Sequence, residues 1–180
     1  MAVDNEFKEY ETSAVARWVV TGKSTFTGRV GYTERKHEQV PQRDFNGWTG
    51  RLEYDWFVAN KTLLNFAVWH EIASYADLQA SYVVSEGVSF GPAWAPTEKL
   101  ILQAKLIHEN RDYQGDPGFV ASTATPLRED KFDGVRLSAG WTPRRWIELV
   151  VSVDHGKRDS NVVGREYDFT SVLGNARVRF

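Results

Sequence analysis

The chain has 180 residues, with 22 Lys and Arg against 24 Asp and Glu and no cysteine. A net charge of −2 excludes nucleic-acid binding by bulk charge, and the missing thiols exclude disulfide scaffolds, Cys-based zinc sites and Cys nucleophiles. No run nears the ~18–20 apolar residues of a membrane helix, yet seven Trp, seven Tyr and ten Phe sit among many charges, a mixture with little use in a water-soluble domain. The length allows one domain or a piece of a larger one, and no secretory-leader pattern follows Met1.

Helical periodicity is scarce and two-residue alternation is widespread. A weak strand is predicted at 14–20. In 24–35 (STFTGRVGYTER), Phe26, Val30 and Tyr32 oppose Arg29, Thr33 and Arg35. In 47–57 (GWTGRLEYDWF), Trp48, Leu52, Tyr54 and Trp56 oppose Arg51, Glu53 and Asp55. Weaker strands are predicted at 62–70 and 80–92. In 100–111, Leu100, Leu102, Ala104 and Leu106 oppose Gln103, Lys105, Glu109 and Arg111. In 135–141, Val135, Leu137, Ala139 and Trp141 oppose Arg136 and Ser138. In 146–155, Ile147, Leu149, Val151 and Val153 oppose Glu148, Ser152 and Asp154. The last strand, 167–180, sets Val172, Ala176, Val178 and Phe180 against Asn175, Arg177 and Arg179.

Many of these nine segments exceed the ~5–6 residues of an average strand and reach the ~9–11 of a membrane strand. Short connections at 21–23, 58–61, 95–99 and 142–145 alternate with longer polar ones at 36–46, 71–79, 112–131 and 156–166. Short turns on one rim and long loops on the other are the layout of outer-membrane barrels. The aromatics fall where two membrane interfaces would lie. Trp18, Phe26, Trp56, Phe57, Trp94, Trp141, Trp146 and Phe180 sit beside the short turns or at the C-terminal end. Tyr32, Trp48, Trp69, Tyr82, Phe132 and Phe169 sit toward the long loops.

Alternation by itself does not say which face is the interior. A soluble lipocalin-like binding module would turn the apolar face inward, and a membrane barrel would turn it to lipid. Strand length and the terminal clustering of Trp favour lipid. So does the aromatic Phe180 closing an amphipathic strand, which resembles the signal that outer-membrane barrels offer their assembly machinery. The fold class is therefore all-β: an antiparallel, up-and-down transmembrane β-barrel in the bacterial outer membrane. Residues 13–180 form its strands, and 1–12 an extracellular loop or N-terminal extension.

The segments 43–56 (RDFNGWTGRLEYDW), 80–94 (ASYVVSEGVSFGPAW) and 109–117 (ENRDYQGDP) resemble the outer-membrane barrel family of exopolysaccharide-biosynthesis, exosortase-associated operons. The resemblance runs from about Arg29 to Phe180. It implies a barrel serving polysaccharide export, acting as a passive conduit or secretion component, and it brings no catalytic residues.

Motifs of chemistry are few. There is no phosphate loop, HExxH or nucleophile elbow. An outer-membrane lipase needs a nucleophile within hydrogen-bond reach of its base. His70, His108 and His155 fall on the lipid-facing register near the outer rim, but no lipid-facing Ser stands at matching height. The chain is read as no enzyme, without cofactor or metal. The three histidines are better read as marking the end of the hydrocarbon band than as a belt for lipopolysaccharide phosphates helped by Lys36, Arg111, Lys157 and Arg158. Asp112, Asp116, Asp130 and Asp133 match no EF-hand spacing and are read as a solvated loop. Glu86 interrupts its apolar face, so a β-bulge near Ser85–Gly87 is expected to turn it away from lipid.

The proposed lumen face carries Arg17, Arg29, Arg35, Arg51, Lys105, Arg111, Arg136, Arg177 and Arg179 against Glu53, Asp55, Glu109, Glu148 and Asp154. A wall with an excess of bases favours anionic solutes. Expected partners are outer-membrane lipid and lipopolysaccharide, the assembly machinery through the C-terminal strand, and acidic polysaccharide, with no nucleic acid. A general porin or structural barrel fits the same wall without a polysaccharide role. Nine strands is an odd number, and single-chain bacterial barrels have an even one. The chain is therefore expected to be the C-terminal part of a larger barrel. The alternative is a ring closed by residues 24–180 alone.

Overall fold

The computed structural model describes residues 6–38, 41, 44–75, 80–115 and 127–179. They form one nine-stranded sheet in which each strand pairs with its chain neighbours, always antiparallel. In order these are β1 (Phe7–Thr21), β2 (Ser24–His37), β3 (Phe45–Ala59), β4 (Thr62–Ser74), β5 (Tyr82–Thr97), β6 (Leu100–Gln114), β7 (Glu129–Arg144), β8 (Ile147–Ser160) and β9 (Tyr167–Val178). The strands run 12 to 16 residues, longer than their alternating centres predict. The ladder continues past the point where one face must be apolar, and there the two-residue signal fades. β1 shows this best. Residues 7–12, expected as a loop or extension, are strand and pair with β2 from Phe7↔His37 onward.

Tight turns at 22–23, 60–61, 98–99 and 145–146 make one rim. The register shifts beside each of them, as a bulge that adds twist would do. The carbonyls of Lys23, Lys61, Lys99 and Trp146 each accept a hydrogen bond from the following hairpin, from the amides of Phe57, Ala95, Thr142 and Arg179 at 2.8, 2.8, 2.8 and 2.9 Å. This rim is thereby knitted hairpin to hairpin. Trp18, Trp56 and Trp94 each stand five residues before Lys23, Lys61 and Lys99, the second residues of three of these turns.

The two faces separate as the alternation predicts. Leu102, Leu106, Val135, Leu137, Leu149, Val151 and Val178 share one register, and Arg51, Glu53, Lys105, Arg136, Glu148 and Arg177 the other. Burial identifies the inner one. Buried Thr33, Arg35, Thr49, Ala67, Ser89, Tyr113 and Asp130 lie on the charged register, whereas exposed Val30, Leu52, Val68, Val88, Leu106, Leu137 and Val151 lie on the apolar one. The sheet therefore curves around its polar face, and the Leu and Val set meets no dry interior. That is the reverse of a lipocalin and the arrangement of a membrane barrel.

The sheet is not closed. β1 and β9 are both edges, exposed along their whole lengths. β2 bonds to β1 and β3, not to β9, so 24–180 does not close as an eight-stranded ring. The bulge expected at Ser85–Gly87 is absent, because pairing runs unbroken through Glu86 on both sides. Glu86 stays on the outer face. It lies near the long-loop end of β5 and meets His70 Nδ1 at 2.8 Å, so the ladder need not distort to hide it. The ladder from β5 to β6 is interrupted at Gly91–Pro92, passing from Phe90 to Ala93 with its register unchanged. Proline has no N–H to give a ladder.

Candidate functional site

The inner wall is built from cross-strand rows. One runs through every strand: Val15↔Arg29↔Arg51↔Trp69↔Gly87↔Glu109↔Phe132↔Arg158↔Tyr167. It starts in the middle of β1 and ends on the first residue of β9, so it climbs toward the rim of long connections.

Arginine and carboxylate are paired along this wall. Arg29 reaches Glu11 at 3.1 Å and Glu71 at 3.5 Å. Arg51 reaches Glu53 at 2.7 Å and Glu71 at 3.7 Å. Arg35 pairs with Glu9, Arg111 with Glu109 and Arg136 with Asp154. Arg177 and Arg179 share Glu148, each at 3.5 Å. Asp55 accepts a hydrogen bond from Asn65 at 2.8 Å, and Lys105 is the cross-strand partner of Arg136. The residues expected on the lumen face thus share one face. Glu9, Glu11, Glu71 and Asp130 join them, with Arg128 and Arg158. Four more acids against two more bases halve the excess of positive charge that the sequence suggests.

Five of these arginines lie against aromatic rings. Arg35 is 4.5 Å from the Phe7 ring centroid, Arg51 5.2 Å from Trp69 and Arg111 5.5 Å from Phe132. Arg128 is 4.1 Å from Tyr113 and Arg158 4.2 Å from Tyr167. This corrects the girdle reading for Trp69, Phe132 and Phe169, which belong to the inner register. Their ring positions depend on glycine. A Cβ on Gly87 would stand 2.2 Å from Trp69 Cζ2, one on Gly134 2.9 Å from Phe132 Cε1, and one on Gly156 2.6 Å from Phe169 Cε1. Trp69 and Phe169 cover glycines of the neighbouring strand and Phe132 a glycine of its own strand, as in aromatic rescue of strand glycines.

At the long-loop rim the wall is tied by Asp130, 1% exposed. It accepts from Arg128 at 3.0 and 2.5 Å and from Arg158 at 3.4 Å. Arg128 also donates to the Tyr75 hydroxyl at 3.3 Å. Its hydrogen bond to Asp130 is the main cause that raises its already high pKa.

Other aromatics lie on the outer face, whereas Tyr82, expected in the girdle, is buried with its ring 4.9 Å from that of Phe45. Trp18, Phe26, Tyr54, Phe66 and Phe90 form a continuous row, with successive centroids 6.2, 4.3, 6.3 and 4.8 Å apart, stacked as far as Phe66 and tilted at Phe90. Trp56, Trp94 and Trp141 are exposed beside the short turns, and Trp146 lies within one. Phe180 lies outside the described residues. His70, His108 and His155 sit on the outer face and each meets the next strand through Nδ1: Glu86 at 2.8 Å, Asp133 at 2.7 Å and Thr170 at 3.0 Å. Lys36 and Lys157 pair with Glu34 and Asp159 at 2.7 and 2.8 Å. Arg111 and Arg158 point inward and belong to no outer belt. The aspartates considered for calcium diverge. Asp130 is inside, Asp133 outside with His108, Asp112 on the outer register, and Asp116 beyond the described residues. Among the described residues no three His, Asp or Glu side chains group as metal ligands.

Long antiparallel strands, tight turns on one rim, an apolar exposed face and a charged concave one define the wall of an outer-membrane-type transmembrane β-barrel. The chain matches the family described as Putative beta-barrel porin 2 over residues 19–180, and it belongs to that family. No curated protein and no solved structure matches it. Membership in a porin family places the chain in the outer membrane and agrees with a transport role rather than an enzymatic one.

Proposed function

We propose that this barrel is a passive conduit for exopolysaccharide export whose inner wall favours anionic solutes. The observation that carries the reading is the charged concave face, with arginines laid against aromatic rings and facing away from lipid. Contacts with lipopolysaccharide around the outer face, and with the assembly machinery through β9, are part of the same reading. The extensive Arg–Glu pairing favours a second one, a general porin of weak selectivity, because paired charges hold a wall together without leaving much net field. Conductance in planar bilayers separates them. Block by an acidic polysaccharide, and not by a neutral one of similar size, supports the conduit. No block by either leaves the general porin.

Selectivity gives a direct expectation. Replacing Arg51, Arg136 and Arg177 with Gln strands Glu53 and Asp154 without their cations and leaves Glu71 and Glu148 with Arg29 and Arg179 alone. The wall then turns net acidic, and reversal potentials across a salt gradient should shift from anion toward cation preference. Unchanged potentials would make these charges purely structural. Folding is read independently by migration in detergent gels, where the unboiled protein should run differently from the boiled one.

A further inference from the structure

We propose that Trp69, Phe132 and Phe169, with Arg51 and Arg111 beside them, form a track that binds an acidic oligosaccharide lengthwise along the inner wall. The proposal rests on the reading of the protein as a saccharide conduit and adds a defined site to it. Three features of the wall support it.

The first is ring placement. Each ring has atoms within 3 Å of where a glycine Cβ would stand, and each stays partly open to solvent, Trp69 and Phe132 half-buried and Phe169 exposed. Any larger residue at Gly87 or Gly156 would lift its ring off the wall. A flat apolar face is what the C–H face of a pyranose packs on, and the hydroxyl edges stay free for polar partners. Support of the backbone at glycine explains why a ring is there. It does not explain why guanidinium groups stand next to two of the rings.

The second is the position of those guanidinium groups. Arg51 and Arg111 stand over Trp69 and Phe132, at 5.2 and 5.5 Å from the centroids, loosely enough to leave room beside them. Arg158 stands closer, 4.2 Å over Tyr167, so that ring is the more tightly covered. A guanidinium has five N–H donors in a fixed fork. Pairing with Glu53 or Glu109 leaves donors on Arg51 and Arg111, whose side chains remain 33% and 30% exposed. A sugar carboxylate beside a stacked ring meets those donors in bidentate geometry.

The third is direction. Trp69 and Phe132 occupy the same cross-strand row, three strands apart, which is about 14 Å at a strand spacing of ~4.8 Å. Phe169 flanks Phe132 across Gly156, whose Cβ would touch both rings. The row rises toward the long-loop rim, so a chain lying on it is led along the wall to the mouth. Stacking that tolerates any sugar face gives a polymer many equivalent registers, which suits sliding.

The test uses the full chain folded in detergent, titrated calorimetrically with oligogalacturonate, with a malto-oligosaccharide of equal length, and with inorganic polyphosphate. The proposal expects the acidic oligosaccharide to bind and the neutral one to bind much more weakly. Trp69→Leu keeps an apolar cover on Gly87 but removes the ring face, and should weaken oligogalacturonate binding about tenfold. Phe132→Leu should do the same, and Trp69→Tyr should retain most of the affinity. Equal affinity for oligogalacturonate in wild type and both Leu variants overturns the track. So does polyphosphate binding as tightly as the sugar, since charge alone would then account for binding. Conductance block by acidic polysaccharide that persists in the Leu variants also overturns the track while leaving the conduit standing. Loss of block in the wild type sinks the conduit itself.

Discussion

Leu137→Arg or Val153→Arg should lower the stability of the membrane-inserted chain by about 2–4 kcal/mol, the range for a cation at the bilayer midplane on a barrel's lipid face. The two residues are direct cross-strand partners in the middle of β7 and β8. Both point outward, 54% and 39% exposed, so an arginine at either must sit in hydrocarbon. The next residues along, Ser138 and Ser152, are also partners but face inward. Arginine there meets the wet wall and should change stability by less than about 0.5 kcal/mol. The measurement is denaturant-dependent folding into lipid vesicles. Equal penalties at Leu137 and Ser138 would show that the outer face does not contact lipid.

The legibility of this fold varied with height along each strand. Around Leu102–Leu106 and Val135–Leu137 every second position is apolar, and one placed residue fixes the whole face. In Phe7–Ser13 both faces are polar, because the strand there lies at the rim, and nothing in the pattern distinguishes strand from loop. Glu9, Glu11, Glu71 and Asp130 were missed as wall residues for the same reason, since each lies where alternation had faded. The inner aromatics were a different error. An aromatic near a strand end suits an interfacial girdle, but the parity of Trp69 against Phe66 and Val68, and of Phe132 against Val135, already put those rings on the charged face. The glycines beneath them were out of reach, because Gly87 and Trp69 become neighbours only once the β4–β5 register is known. Glu86 shows the converse. Its register was legible, and the expected bulge assumed that its height was still inside the hydrocarbon.

Asp130→Ala should be the most disruptive single change at the long-loop rim. Asp130 is the only described side chain below 2% exposure among the largest buried groups, and it anchors two cations. Arg128 holds it through Nε and Nη2, and Arg158 approaches from β8. Removing the carboxylate leaves two guanidinium groups without their counter-charge in a desolvated place, which costs about 3–5 kcal/mol in comparable buried pairs. Asp130→Asn keeps an acceptor for Arg128 but not the charge, and should cost less. A double-mutant cycle with Arg158→Gln should give a clear coupling energy, since the pair is in contact. The contrast is Glu38, whose carboxyl Lys8 holds below its usual pKa by a 2.8 Å hydrogen bond. That pair is solvent-exposed, and Glu38→Gln should leave unfolding unchanged within error. Amide exchange should localise the loss. Because Arg128 also reaches Tyr75 beyond β4 and packs on Tyr113 of β6, faster exchange in Asp130→Ala should appear at the upper ends of β4, β6, β7 and β8 together. Exchange that quickens in β7 alone, or an Asp130→Ala penalty no larger than that of Glu38→Gln, would reduce the network to a set of independent contacts.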